Sequence, residues 1–339
     1  MNSDPRTILI SDPTLRDGNH AVSHQLSVDQ IKKYCKAADV AGVPIVEVGH
    51  GNGLGASSMQ VGLAKVDDKT ILKVARKNLK RSKLGIHAIP GFATIERDLK
   101  PAIDSGVDVF RIASHCSEAD TTQKHIQFCS KEGKTVFGVL MMSHMEEKEI
   151  LSEEAKKMLD YGAEAVVLMD SSGNYLPEDV TEKITFLKKK LSINVGFHAH
   201  NNLGMAIANS VSAIQAGASI VDGCARGFGA GAGNTQLEVL VAVLKRLGYE
   251  TGIDLHKILT AGNIAENFLM EKTPTISSTS VVSGLYGVFS GFLKPVNRIA
   301  IKYSVDPMDI LFMLGQRKIV AGQEDIIIEV AESLAKKRG

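Results

Sequence analysis

Charge of either sign is not in excess in this chain: 39 basic against 38 acidic residues among 339 leave a formal +1. The electrostatic footprint needed for a nucleic-acid backbone or an acidic membrane is therefore missing. The run Lys188-Lys189-Lys190 reads as a solvated helix face. No apolar run reaches the length of a membrane span. The opening Met1-Asn2-Ser3-Asp4-Pro5 has no apolar signal region, so a cytoplasmic protein is expected. Cysteine is scarce and unpaired in sequence: Cys35, Cys116, Cys129 and Cys224 form no CxxC and read as reduced, buried thiols. Cys116 beside His115 is a nucleophile candidate, although a core thiol at a strand end is the simpler reading. Two glycine-rich runs, at 49–55 and 227–233, could present N–H groups to an anion. Neither carries the Lys-Ser/Thr of a P-loop, and close-approach turns fit them better, with Asn234 opening the next helix.

Apolar runs rich in Val and Ile recur at 8–14, 45–49, 83–90, 109–115, 135–141, 165–171, 193–200 and 220–227. Helical periodicity separates them, as in 28–41, where Val28, Ile31, Tyr34, Cys35 and Ala38 trace one stripe. Ser27 with Gln30 predicts a capping box at its start, and Gly42 an end. Near-continuous apolar strands alternating with helices imply a parallel sheet covered by helices. Eight such units in about 250 residues predict an α/β fold, a closed (β/α)8 TIM barrel. An open doubly wound sheet would more often carry a glycine fingerprint after its first strand. Here that strand is followed by Arg16-Asp17-Gly18-Asn19-His20. Beyond about residue 262 the alternation stops. Helices are expected at 263–271, 306–316 and 323–337, and a Ser/Gly-rich connection over 277–291. This divides the chain into a barrel, 1–262, and a small mainly helical C-terminal domain, 263–339.

His198-Ala199-His200 closes the seventh run. Residues two apart on a strand face the same way, so both imidazoles converge on one side. Two nitrogens and the carboxylate of Asp17, after the first strand, would make an open site for Mn2+, Co2+, Zn2+ or Fe2+. In a ring of eight, strands one and seven are separated only by strand eight. The same ligands match the facial triad of oxygen-activating iron enzymes. A strand histidine pair satisfied by ordinary hydrogen bonds also meets the pattern. Arg16 is either a surface ion pair with Asp17 or a fork of donors for an enolate oxygen. His20, three residues on, is a candidate general base. No lysine stands at a predicted strand end except Lys83, at the start of strand three, which disfavours a Schiff base.

Arg16-Asp17-Gly18-Asn19-His20, Gly49-His50-Gly51-Asn52-Gly53-Leu54-Gly55 and His198-Ala199-His200-Asn201-Asn202-Leu203-Gly204 together resemble the 4-hydroxy-2-oxoacid (4-hydroxy-2-oxovalerate) aldolases. These are class II pyruvate aldolases, in the wider superfamily of 3-hydroxy-3-methylglutaryl-CoA lyase and isopropylmalate synthase barrels. The likeness runs from about residue 7 to residue 337. It departs at Asn52 and at Lys294-Pro295. It implies Mn2+, or Co2+ or another divalent metal, on Asp17, His198 and His200. Arg16 would stabilise the pyruvate enolate, His20 would be the base, Ser171 would hold the pyruvate carboxylate, and Tyr286 would limit the substrate at C4. The implied reaction is retro-aldol cleavage to pyruvate and acetaldehyde or propanal. The implied partner is an NAD-dependent acylating aldehyde dehydrogenase that receives the aldehyde. A Claisen-type acyl-CoA lyase or synthase and a non-catalytic barrel subunit are the alternatives. The stripe Ile326, Ile327, Val330, Ala331 and Leu334 would then face that partner, a second copy or the barrel.

Overall fold

The computed structural model describes residues 6–338. Eight parallel strands close in sequence order: β1 Leu9–Leu15, β2 Ile45–Val48, β3 Lys83–Ala88, β4 Val109–His115, β5 Thr135–Met141, β6 Ala165–Asp170, β7 Asn194–Ala199 and β8 Ile220–Asp222. Each except β8 is followed by one of the helices α1 Val28–Ala41, α2 Asp68–Asn78, α3 Lys100–Asp104, α4 Gln123–Lys131, α5 Lys148–Tyr161, α6 Pro177–Lys190 and α7 Ala206–Gln215. After β8 comes α8 Leu237–Arg246, completing the wall. The expected capping box is present: Ser27 Oγ accepts from Gln30 N–H, and Gln30 accepts from Ser27 N–H at 2.8 Å. Gly42 ends α1 at φ 83°, a conformation that favours glycine. Ile31, Tyr34, Cys35 and Ala38 are buried as the stripe requires, while Val28 in the first turn is exposed.

Alternation along the strands sorts their side chains into two layers. Outward residues such as Leu84, Ile86 and Phe110 join the helices in the main core. Inward residues Ile45, Val109, Val139, Ala165, Val167 and Ile220 fill the barrel with an apolar plug. Two positions further along the same inward faces come Glu47, Arg111 and Asp222. The plug therefore forms a floor on which a polar layer sits, at the C-terminal ends of the strands where this fold places its chemistry.

The eighth strand is shorter than the expected 220–227. After Asp222 the chain leaves the sheet: Cys224 N–H donates to the Thr235 carbonyl at 2.9 Å, and a 3-10 turn with Arg226 at φ 54° follows. The expected Ser/Gly-rich connection over 277–283 is instead a helix, α10 Ser278–Leu285. Its serines start it rather than break it, because Ser277 and Ser280 form a capping box. It is preceded by α9 Leu255–Phe268 and followed by α11 Leu293–Tyr303, α12 Pro307–Gln316 and α13 Asp325–Arg338. The expected boundary at 262 falls inside α9, whose Ile258, Ala261 and Ala265 pack into the barrel's core. A second core begins at Val288 and takes Ile327, Val330 and Ala331 from α13. The α13 stripe thus packs on α11 and α12, within the C-terminal unit itself. No helix among the described residues is long and apolar enough to cross a membrane.

Candidate active site

Asp12-Pro13-Thr14 at the end of β1 shapes the turn that delivers Arg16 and Asp17. Asp12 accepts from Thr14 N–H at 2.9 Å and from Tyr34 Oη–H at 2.6 Å, while Thr14 Oγ1 accepts from Ala225 N–H at 2.8 Å. The register slips between Asp12 and Leu15, and the Pro13 carbonyl then accepts from both Arg16 and Asp17 N–H. A local irregularity of this kind re-aims side chains at a barrel rim.

Asp17, His198 and His200, all buried, place one potential ligand atom each within 4.8 Å of one another. The three predicted ligands, from opposite ends of the barrel sequence, share one point. His198 donates from Nδ1 to Asp222 Oδ2 at 2.8 Å, which leaves Nε2 as a lone pair. That Nε2 and His200 Nδ1 are buried without a hydrogen-bond partner. Two buried imidazole nitrogens left without a partner are costly unless something else in the site engages those rings. The donor set and its orphaned atoms fit a divalent cation.

Burial alone would raise the Asp17 carboxyl, but His200, Arg16, His20 and His198 pull it well below the ordinary range. Burial outweighs Asp17 at His200 and lowers that ring to about 3, so it is a neutral donor. Arg16 is buried. Its Nε pairs with Glu47 and its Nη1 with Asp17 Oδ1 at 2.9 Å, leaving Nη2 without a partner. Of the two readings of Arg16, the surface ion pair is therefore excluded. His20 is half-buried; its proton affinity is lowered, by burial first, against the pull of Asp17. A Cβ on Gly51 would lie 2.5 Å from the His20 ring, so this glycine lets the ring lie there. His20 lines a cavity of about 620 Å3 between the barrel mouth and the C-terminal segment, together with His24, Asn52, Gly229, Gly231 and Lys294.

The eighth-strand glycine run is a close-approach turn, as expected. A Cβ on Gly229 would fall 2.5 Å from Asp17 Oδ2 and closer still to Asn234 Nδ2. The next residue, Ala230, donates its N–H to Asp17 Oδ2 at 3.3 Å. Asn234 does not open a helix, because α8 starts only at Leu237; it donates to Asp17 Oδ2 at 2.5 Å instead. Ser171 follows β6 fully buried. Its Oγ accepts from Met142 N–H at 2.9 Å, which leaves its own proton to donate. Tyr286 caps α10 with its ring edge-on to Phe312 at 5.0 Å, and it is not among the residues lining the cavity beside His20. Cys116 donates to the Met142 carbonyl at 3.2 Å and burial pushes its thiol up to about 12, so it is a core thiol. All four cysteines are free and buried. The residues that sequence reasoning missed are Glu47, Arg111, Asp222, His87 and Asn234, all buried around the ligands. A charge in the middle of an apolar strand was the available signal for the first three.

The HMGL-like family model matches residues 7–265, and a DmpG-like communication domain matches residues 274–336. A 4-hydroxy-2-oxovalerate aldolase of Spirochaeta aurantia is 63% identical over 338 residues, covering 100% of this chain and 99% of that protein. The chain belongs to the 4-hydroxy-2-oxovalerate aldolase family. A second aldolase of the family, from Pectobacterium atrosepticum, is 60% identical over 98% of this chain and 97% of its own length. The carboxyl transferase domain of Rhizobium etli pyruvate carboxylase, solved with pyruvate and biocytin, shares the fold: its TM-score is 0.84 at 13% identity, over 99% of this chain and 61% of that one. Members of the aldolase family are carbon–carbon lyases built on this barrel.

Histidines near this family's barrel mouth make stability depend on pH. Burial, and then His20, lowers His24 to about 2 and His50 to about 4. An unfolded histidine binds its proton near 6.5. The unfolded chain therefore takes up protons that these rings refuse. Their contribution is complete above about pH 6.5 and is lost as pH falls, at up to about 1.4 kcal/mol per pH unit for each ring. Asp12 and Asp170, which burial holds at about 6, oppose this once the pH drops below that value. Denaturant titrations should thus show stability falling between about pH 6.5 and 6, then more gently. Stability that climbs through that interval as acid is added would contradict the assignment of neutral rings.

Proposed function

We propose that this chain cleaves 4-hydroxy-2-oxoacids, 4-hydroxy-2-oxovalerate or its hexanoate homologue, to pyruvate and acetaldehyde or propanal. The observation that carries the reading is the buried Asp17–His198–His200 set, with its orphaned imidazole nitrogens, beside the unpartnered Nη2 of Arg16. A divalent ion held by the three ligands, Mn2+ in this reading, would supply Lewis acidity toward the 2-oxo oxygen. Arg16 donates from Nη2 to the oxygen where charge develops as the C3–C4 bond breaks. His20, neutral near pH 7, takes the C4 hydroxyl proton as the aldehyde carbonyl forms. The enolate left behind gains a proton at C3 and leaves as pyruvate. Ser171 donates its hydroxyl proton to the pyruvate carboxylate.

Charge balance supports a monocarboxylate substrate. Arg16 and Arg111 face Asp17, Glu47 and Asp222 in a layer closed to water. That set carries one surplus negative charge, which a divalent ion converts to one surplus positive charge. A single substrate carboxylate neutralises it, and buried charge is tolerated only when so paired.

The partner in this reading is an NAD-dependent acylating aldehyde dehydrogenase in the cytoplasm. The communication-domain match supports it, as do Val281 and Leu285 of α10 and Phe312 of α12, apolar side chains left exposed. Pyruvate release tests the reaction: activity should vanish after chelation and return with Mn2+. Turnover by verified metal-free protein would sink the metal-dependent reading, and thiol release from acetyl-CoA with a 2-oxoacid would favour Claisen chemistry instead.

A further inference from the structure

We propose that Arg111 and Asp222 are positioning residues, a brace that ties the ligand His198 to the Arg16–Glu47 pair. The inference rests on the metal-dependent reading above. Arg111 leaves β4 fully buried and crosses the barrel interior above its apolar floor. Its Nη2 donates to Asp222 Oδ2 at 2.6 Å, and its Nη1 lies 3.1 Å from Glu47 Oε2 and 3.3 Å from Ser11 Oγ. Asp222 Oδ2 is also the acceptor for His198 Nδ1–H at 2.8 Å. The other oxygen of Glu47 accepts from Arg16 Nε. One guanidinium thus joins side chains from β8, β7 and β2 to the residue that follows β1.

The two ends of the brace are informative. Asp222 fixes which His198 nitrogen carries the proton, so Nε2 presents its lone pair. Glu47 and Asp17 use Arg16 Nε and Nη1, so only Nη2 is left over. Each end terminates in a buried atom with no hydrogen-bond partner, as Arg111 Nε, Glu47 Oε2 and Asp222 Oδ1 also are within the brace, and the two end atoms are the ones the proposed chemistry uses. Stability does not account for the array. Desolvating several charges roughly cancels their attraction, and an apolar filling of the same volume would serve the barrel as well. What the array does supply is a fixed distance and orientation between ligand and donor. Arg111 suits this because its planar fork holds two carboxylates in one fixed geometry, whereas a lysine offers a single rotatable point charge.

Asp222→Asn and Arg111→Lys test the brace, with folding checked by circular dichroism and thermal unfolding. Mn2+ affinity is read from free Mn2+ by electron paramagnetic resonance, and oxalate, an enolate-shaped dianion, is titrated into the Mn2+-saturated protein. Asp222→Asn should weaken Mn2+ binding by roughly 10–100-fold, the usual effect of losing a partner behind a metal ligand. Arg111→Lys should weaken both Mn2+ and oxalate, because both ends of the brace slacken. If Arg111→Lys does not fold, the near-isosteric Asp222→Asn decides alone. Folded variants that bind Mn2+ like the parent overturn the brace, even if they melt earlier. A parent chain that binds no Mn2+ overturns the metal-dependent reading itself, and the two failures are thereby distinct.

Discussion

His200→Ala should hold no Mn2+ at concentrations that saturate the parent chain, and should release no pyruvate. Removing a ligand should cost more than the roughly 10–100-fold expected for a partner behind a ligand. His200 is neutral and buried, and its Nδ1 has no hydrogen-bond partner that the deletion would strand. The fold should survive, because the barrel's apolar plug and outer core lie elsewhere. Elemental analysis after gel filtration reads occupancy directly. A variant that retains stoichiometric metal would remove His200 from the ligand set.

His20→Ala separates base from ligand. It should lower kcat by roughly 10²–10⁴, the usual worth of a positioned general base, while metal occupancy stays at the parent level. Because burial lowers the proton affinity of His20, the acid limb of the kcat profile should lie below the ordinary histidine value of about 6.5. The variant should lose that limb. Gly51 provides an internal control, since any side chain there would displace the His20 ring without touching the ligands. Parent-like turnover by His20→Ala would assign the proton transfer to another group.

Periodicity alone carried the barrel, because each strand's apolar run and each helix's stripe are local signals. Seven of the expected strands end within a few residues of the observed ones; β8 is shorter because from Cys224 the chain pairs with Thr235 and Gln236 instead of the sheet, which no apolar pattern announces. Ser278–Leu285 escaped notice for a related reason: serine reads as connection in composition but as a cap at a helix start. Asp17, His198 and His200 could be read because strand spacing and ring closure bring their positions to one rim. Asn234 could not, since its partner Asp17 lies across a loop whose path depends on Gly229.

By itself, then, the sequence determined the strand count, the shared face of His198 and His200 and the family's motifs, all of which depend on neighbours close along the chain. Only the tertiary structure decided which atoms remain free. Glu47, Arg111 and Asp222 lie on three different strands, and each looks like an isolated charge until the barrel closes around them. Closure excludes water, and in that dry interior each charge must find its partner across the ring. Among the atoms that this pairing leaves without a partner, His198 Nε2 and Arg16 Nη2 border the ligand set, and that is a property of the closed barrel.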